Sequence, residues 1–462
     1  MPACSLRSTF WCAILLSACI FGPTFSDLSQ VRAATVSSDN GKTGSSGGTG
    51  AKNGASLSAP VVYVSETTET FSSSSIQNAG FIDARVLDMN TGALTPIPGS
   101  PFPINYAMAG DMALSPNGAF AYVLAEGIIG GPCCVGPAFL LVYALDPTSG
   151  APTLKQALAV GNSNTPAPTN IAVHPSGEFV YLTNYFQNQN NVGIGIFSVQ
   201  ADGSLLFTGV FGPLPAESSS SAAIDPSGKF LYIDIDGSPV GNPADIACGP
   251  FNSNLYAFDI DMTTGALTPV AGSPFTFQRQ ICEVGHAPQW LTLQIDPSGQ
   301  RLFAVDSGNR IITVFGIDSS SGALTQLPGS TVGTGSSGPS FTASAMDPKG
   351  RFLYVGGPSY AFTGFSLTAN PASGSLPVLP GMPVQTTLST QSNAGSRYMA
   401  VDSSGTFLFG NENEYTSAFS CCQPDPVVEL RIDPNTGAVT PLLSNTFTLA
   451  GTASKIVVAA PR

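Results

Sequence analysis

The segment Ile224–Asp236 reads IDPSGKFLYIDID, and the chain writes close relatives of it five more times. LSPNGAFAYVLAE begins at Leu114, VHPSGEFVYLTNY at Val173, IDPSGQRLFAVDS at Ile295, MDPKGRFLYVGGP at Met346 and VDSSGTFLFGNEN at Val401. Each copy has an apolar end, a turn of the form Asp-Pro-Ser-Gly and a second apolar run. Proline presets φ at about −65° and glycine accepts positive φ, so the turn is written into the chain. The copy therefore reads as a hairpin of two short strands. Recurrence at this spacing signals a repeat architecture, and everything else is read around it.

Downstream of a hairpin, a variable loop leads to a third strand, such as NLYAFDID at 254–261. A second turn follows: NTGALTP at 90–96, TTGALTP at 263–269, SSGALTQ at 320–326 and NTGAVTP at 435–441. A fourth strand leaves it, often toward GSPF, as at 99–102 and 272–275. Each unit predicts four antiparallel strands. Six units carry the first turn, and a partial seventh, Pro60 to Phe102, has PVVYVSE and NTGALTP but no first strand. The last apolar run, KIVVAA at 455–460, has no second strand of its own. The two defects complement each other. If the C-terminal run supplies the missing innermost strand, the ring closes and leaves only short, protected edges. The predicted fold is all-β: a seven-bladed β-propeller of four-stranded antiparallel blades, closed by the C-terminal strand.

Composition agrees. The 462 residues include 50 Gly and 38 Pro, are 43% hydrophobic and only 10% charged, which suits many short strands joined by turns. The formal net charge is −13, from 16 Lys and Arg against 29 Asp and Glu. No basic run occurs, so a nucleic-acid partner lacks its electrostatic footprint.

The organisation predicts an export segment over 1–34, a Ser/Gly-rich linker over 35–58 and the propeller over 59–462. Arg7 precedes the apolar run FWCAILLSACIFG at 10–22, which is shorter than the ~20 residues a membrane span needs. No transmembrane span is expected after processing. Leu16-Ser17-Ala18-Cys19 resembles a bacterial lipobox, making Cys19 the lipidation candidate. Ordinary cleavage near VRAA at 31–34 is the competing reading, so the chain is expected outside the cytoplasm, either lipid-anchored or secreted. Six cysteines lie in the propeller: Cys133, Cys134, Cys248, Cys282, Cys421 and Cys422. An even number in an exported domain favours disulfides. Cys248 and Cys282 belong to one blade and its exit and form the preferred pair. Cys133–Cys134 and Cys421–Cys422 either form vicinal bridges or pair across the mouth.

The DPSGxFLYV hairpins, YLTN at 181–184 and the TGALTP turns resemble the lactonase family of seven-bladed propellers, which includes the propeller-type 6-phosphogluconolactonases and carboxymuconate cyclase. YLTN also resembles the YVTN repeat of archaeal and bacterial surface proteins. The resemblance covers about residues 60–462. Its residues are turn and core residues, so it speaks for fold, and activity has to be argued from a site.

Both short turns of a blade fall at one end. The connections after the second and fourth strands fall at the other, and function is expected on that long-loop face. All six propeller cysteines lie in those connections. Three residues past each hairpin aromatic stand Glu66, Ala125, Asn184, Ile235, Asp306, Gly357 and Glu412. This column suggests carboxylates lining the mouth, or solvated strand ends on an acidic protein. His174 replaces Asp in a turn and reads as structural. His286, in QRQICEVGHAPQW, enters the fifth innermost strand with Arg279 and Glu283 in the same loop. Histidine suits proton transfer near neutral pH and arginine suits an anionic group or oxyanion. Arg397 enters the seventh innermost strand likewise. It partly matches the PRH segment of lactonase-like propellers, with Tyr398 in place of the histidine.

No GxSxG, HExxH, P-loop or dinucleotide fingerprint occurs. The expectation is a lactone or sugar-acid ester hydrolase with His286, Arg279, Glu283, Arg397 and Glu412 as its catalytic candidates. The alternative is a non-catalytic surface propeller of YVTN type. The partner is then a small lactone or carbohydrate-like ligand, or a surface partner, bound by a monomer. No cofactor is called for, and a divalent cation at the acidic long-loop face is the one option left open.

Overall fold

Turn chemistry decides where the strands end. In the quoted segment the Asp225 carboxylate accepts the N–H of Ser227 at 3.0 Å and of Phe230 at 2.7 Å. Gly228, at φ 77°, donates its own N–H to the Asp225 carbonyl at 2.9 Å. An aspartate that bonds its own backbone two residues on stabilises the turn directly. Asp402 repeats the arrangement with Ser404 and Phe407. The flanking strands pair as predicted: Ala222–Ile224 runs antiparallel to Phe230–Asp236, with Ile224 opposite Leu231. The second turn is built alike, with Asp261 accepting the N–H groups of Thr263 and Thr264.

The computed structural model describes residues 57–71, 76–106, 108–128, 135–161, 167–188, 191–215, 221–236, 249–281, 291–306, 311–329, 332–333, 343–356, 361–367, 372–386, 396, 398–412 and 424–462. They belong to one compact unit and form seven antiparallel sheets, one per repeat. Numbered along the chain, the blades begin their second strands at Val61, Phe120, Phe179, Phe230, Arg301, Phe352 and Phe407. Blade 1 takes its innermost strand from the C-terminus: Thr452–Ala459 pairs antiparallel with Val61–Thr67, as the two complementary defects required. That strand touches both Met108–Leu114 of blade 2 and Met399–Val401 of blade 7, so the ring closes.

Two expectations change in detail. The fourth strand is not continuous in blades 1, 4, 5 and 7, but split into two short pieces on one partner. Leu94–Pro96 and Phe102–Pro103 both pair with Ile76–Leu87. Pro98 and Pro101, which lack an N–H, and Gly99, at φ 94°, stand in the gap. The connections after the second strands, expected as irregular loops, are partly strand. Val61–Phe71 pairs with Ile76–Leu87 along its whole length, although the innermost strand of that blade reaches only Thr67. Threonine-rich alternation carries this two-stranded ribbon beyond the sheet.

The repeated words of the sequence are two halves of a single contact between blades. Tyr63, Tyr181, Tyr232 and Tyr354 are fully buried and donate their hydroxyls to a glycine carbonyl in the next blade's second turn. The partners are Gly150 at 2.6 Å, Gly265 at 3.0 Å, Gly322 at 3.0 Å and Gly437 at 2.9 Å. In three of these seams the phenylalanine two residues before the tyrosine packs on the same glycine. So FLY in one blade and TGAL in the next are read together. Blades 2, 5 and 7 depart: Tyr122 is buried with its hydroxyl unpartnered, and Phe303 and Phe409 stand at the tyrosine position. In blade 5, Arg301 compensates: Asp296 holds its guanidinium at 3.1 Å, and it donates to the Leu367 carbonyl of blade 6 at 2.9 Å.

Candidate functional site

Strand alternation puts the column of second-strand residues where the sequence placed it, at the long-loop end. Its described members are neither solvated nor open to a mouth. Glu66, Asn184, Ile235, Asp306 and Glu412 are all buried. The carboxyls of Glu66 and Glu412 are drawn toward neighbouring blades, while Asn184 bonds Thr169 within its own blade at 2.7 Å. Glu66 accepts the Gly451 N–H at 2.9 Å on one oxygen, while the other has no hydrogen-bond partner. Burial pushes its carboxyl up to about 7, opposed by that N–H and reinforced by Asp83, which is itself paired with Arg85 at 2.8 Å. The Glu412 carboxylate accepts the hydroxyl of Thr386 from blade 6. Its neighbour Asn411 donates to Asp425 at 2.9 Å, and the same Asp425 oxygen accepts the Ala453 N–H of the closing strand at 3.0 Å.

The innermost strands enclose a central cavity of 410 Å³. Each pairs only with the second strand of its own blade, which leaves one backbone edge without a strand partner. Apolar side chains, Met112, Ile171, Met346 and Met399 among them, line it together with exposed backbone groups. Lys455 is the only charged residue among the described ones that line it. Its ammonium meets Asp111 at 2.9 Å, and Asp111 holds it charged. The other Asp111 oxygen accepts the Ile171 N–H at 2.8 Å, so one carboxylate ties blades 1, 2 and 3 at the channel wall. Sequence reading missed this pair. The signal was a lone charge inside each of two otherwise uncharged strands, MAGDMAL and TASKIVVA.

His174 occupies the scaffold end as expected. Its ring bonds Ser176 in its own turn and the Gly228 carbonyl of the next blade, both at 2.8 Å. Arg279 lies on the strand Phe275–Ile281, opposite Phe251, and not in the following loop. Strand pairing extends through it because seven residues of the third strand, Gly249–Leu255, continue to offer partners. Glu283, His286, Arg397, Gly357, the six propeller cysteines and Cys19 lie outside the described residues. Among the described residues, no three His, Cys, Asp or Glu side chains come together as a metal-binding group.

No family model matches the chain, and no curated protein matches it either. Solved structures do. A periplasmic gluconolactonase of Pseudomonas aeruginosa is 18% identical, with 87% of this chain and 100% of that one covered and a TM-score of 0.61. A structure provisionally named a 6-phosphogluconolactonase, from Bacteroides uniformis, is 16% identical over 87% of this chain and 100% of its own, with a TM-score of 0.59. A Lactobacillus plantarum protein is 16% identical, with 87% and 100% covered and a TM-score of 0.58. At such identities the likeness speaks for the fold alone. The chain is a seven-bladed β-propeller, and it shares this fold with these solved structures.

Proposed function

We propose that this propeller is an exported hydrolase of a lactone or sugar-acid ester, acting at the long-loop end of its central channel. The supporting observation is the likeness in fold to a periplasmic gluconolactonase over 87% of the chain. In this reading His286 takes a proton from water as the oxygen attacks the lactone carbonyl. Arg279 or Arg397 steadies the oxyanion or a substrate carboxylate. The ring C–O bond then breaks, and the imidazolium returns the proton to the leaving alkoxide, giving the hydroxy acid. Glu283 orients the imidazole or relays its proton. Glu412, enclosed beside Thr386, is a positioning residue that acts through its neighbours. In this reading the reaction needs no cofactor, and the enzyme works outside the cytoplasm, on a lipid at Cys19 or free.

The test follows acid release by the purified chain, disulfides intact, from a panel of aldonolactones and simple γ- and δ-lactones. Turnover by the wild type and a loss of at least 100-fold in His286→Ala is expected, in the range general base catalysis supplies. Turnover that survives the substitution removes His286 from the mechanism. A wild type inert on every lactone favours the surface-binding propeller instead.

The long-loop face also carries the proposed disulfides. Gly249 and Ile281 are the last register partners of their two strands, and the next residue on each side is a cysteine, Cys248 and Cys282. Cross-strand neighbours lie within the ~4.4–6.8 Å Cα separation a disulfide spans. Peptide mapping without reduction is expected to recover Cys248 linked to Cys282. Recovery of either cysteine bridged elsewhere refutes the pairing.

A further inference from the structure

The seam between blades 7 and 1, where the ring closes, lacks the tyrosine latch. Phe409 stands at the tyrosine position, so Gly92 in the blade 1 turn meets no phenolic hydroxyl there. The residue opposite Phe409 on the third strand is Glu429. In the other six blades that position holds Ala84, Val142, Ile196, Ala257, Val314 or Gly364, all uncharged. Glu429 is 1% exposed. Its carboxyl rests against Gly92, so that a Cβ added to that glycine would collide with Oε1, and with Leu442 at 2.8 Å and Phe407 at 2.9 Å. The acid thus packs on the turn glycine of the one seam between blades 7 and 1, where the phenolic hydroxyl is missing, without bonding its carbonyl.

We propose that Glu429 enters the fold as a neutral acid packed against the blade 1 turn where the tyrosine latch is missing, so that the ring-closing seam is tight when this carboxyl is protonated and loosens when it ionises. Neither carboxyl oxygen has a hydrogen bond of ordinary geometry, and a buried carboxylate in that state is strongly disfavoured. Burial pushes the group up to about 8, Asp402 adds to the push, and Asn445 and Arg431 oppose it. The other charged groups of the seam do not neutralise it. Arg85 is committed to Asp83 and lies over the Phe447 ring, and Arg431 donates to the Asn90 carbonyl at 2.7 Å. Asp402 is engaged in its own turn, Asp425 holds Asn411 and Ala453, and Asp88 is exposed in the facing turn. Glu66, at the other end of the same seam, is raised to about 7 and titrates in the same direction.

The sign follows from linkage. The folded state holds the Glu429 proton up to about pH 8, whereas the unfolded chain releases it near the ordinary value of 4.5. The folded state binds the extra proton between those values, so stability is full below the lower one and declines as pH rises toward the upper. The experiment measures urea midpoints of the full chain from pH 5 to 8.5, for wild type, Glu429→Gln and the double variant Phe409→Tyr/Glu429→Ala. The double variant rebuilds the latch used by blades 1, 3, 4 and 6, and it keeps the test open should Glu429→Gln fold poorly. The wild-type midpoint is expected to fall steadily over this range. Both variants should show a shallower decline, the remainder belonging to Glu66, and should exceed the wild type at pH 8. Hydrogen-exchange protection of the Asp88–Leu94 turn should drop in the wild type by up to about tenfold per pH unit and stay level in the variants. Parallel pH profiles for wild type and variants, or protection that changes equally in all three, overturn the proposal.

Discussion

Deleting residues 452–462 is expected to leave a chain that does not unfold cooperatively, binds apolar dyes and aggregates. The deleted strand is the innermost one of blade 1, though it is encoded some 390 residues from its partner. Seven register pairs join it to Val61–Thr67. Without it, a fully buried strand edge faces the channel, and Val61, Val62, Tyr63 and Val64, all at most 1% exposed, lose their cover. Ala453, Ile456 and Ala459 leave the core, Lys455 leaves Asp111, and Asp425 loses the Ala453 N–H. Each ladder bond contributes about 1 kcal/mol net and each buried aliphatic side chain about 1.5–3 kcal/mol. Their sum is of the order of the whole 5–15 kcal/mol by which a domain is stable. Circular dichroism, dye binding and size-exclusion chromatography are the readouts. A synthetic peptide of residues 452–462 should restore a cooperative transition by adding itself as the missing strand. A truncated chain with a sharp transition near that of the intact protein would refute this account of closure.

That strand also shows why so much of the fold was legible. A unit lacking its first strand and a C-terminal run lacking its second are visible as text, and only one topology reconciles them. The turns were legible because Pro, Gly and Asp each act locally, within four or five residues. The latch was only half legible. FLY and TGAL were seen as separate words, one assigned to the core and one to a turn, because a single blade gives no reason to join them. Contacts between blades link positions some 80–90 residues apart, and that distance hid the relation of Tyr232 to Gly322. The candidate site was legible least. Strand ends rich in carboxylates suggested a charged mouth, but alternation alone cannot tell a side chain that faces the channel from one that faces the next blade. Glu66 faces blade 7, where the Gly451 N–H meets it and burial closes it off from the channel. Glu429 was invisible for a related reason. A glutamate in a strand reads as exposed until its register partner, Phe409, is known to be buried.

The latch itself predicts that Gly265→Ala will be among the most damaging single-methyl additions in the chain. Gly265 adopts φ 73°, the left-handed region that an alanine enters at a cost of about 1 kcal/mol. The added Cβ would lie 2.5 Å from Phe179 Cδ1 and 2.9 Å from its Cε1, inside the van der Waals contact of a ring that is only 5% exposed. Phe179 has little room to yield, since His174 lies against it edge-on at 5.8 Å. Overpacking of this kind costs about 1–3 kcal/mol. Any shift of the turn that relieves the clash also lengthens the 3.0 Å bond from the Tyr181 hydroxyl, leaving a buried phenol unsatisfied. The combined loss is expected to be about 2–4 kcal/mol, read as a lowered urea midpoint with unchanged slope. Gly381→Ala is the control. It too has positive φ, 77°, but nothing lies within 4 Å of an added Cβ, so it should lose only the backbone part, about 1 kcal/mol. Equal losses in the two variants would mean that the glycines serve their own turns alone, and that the contact between blades adds nothing.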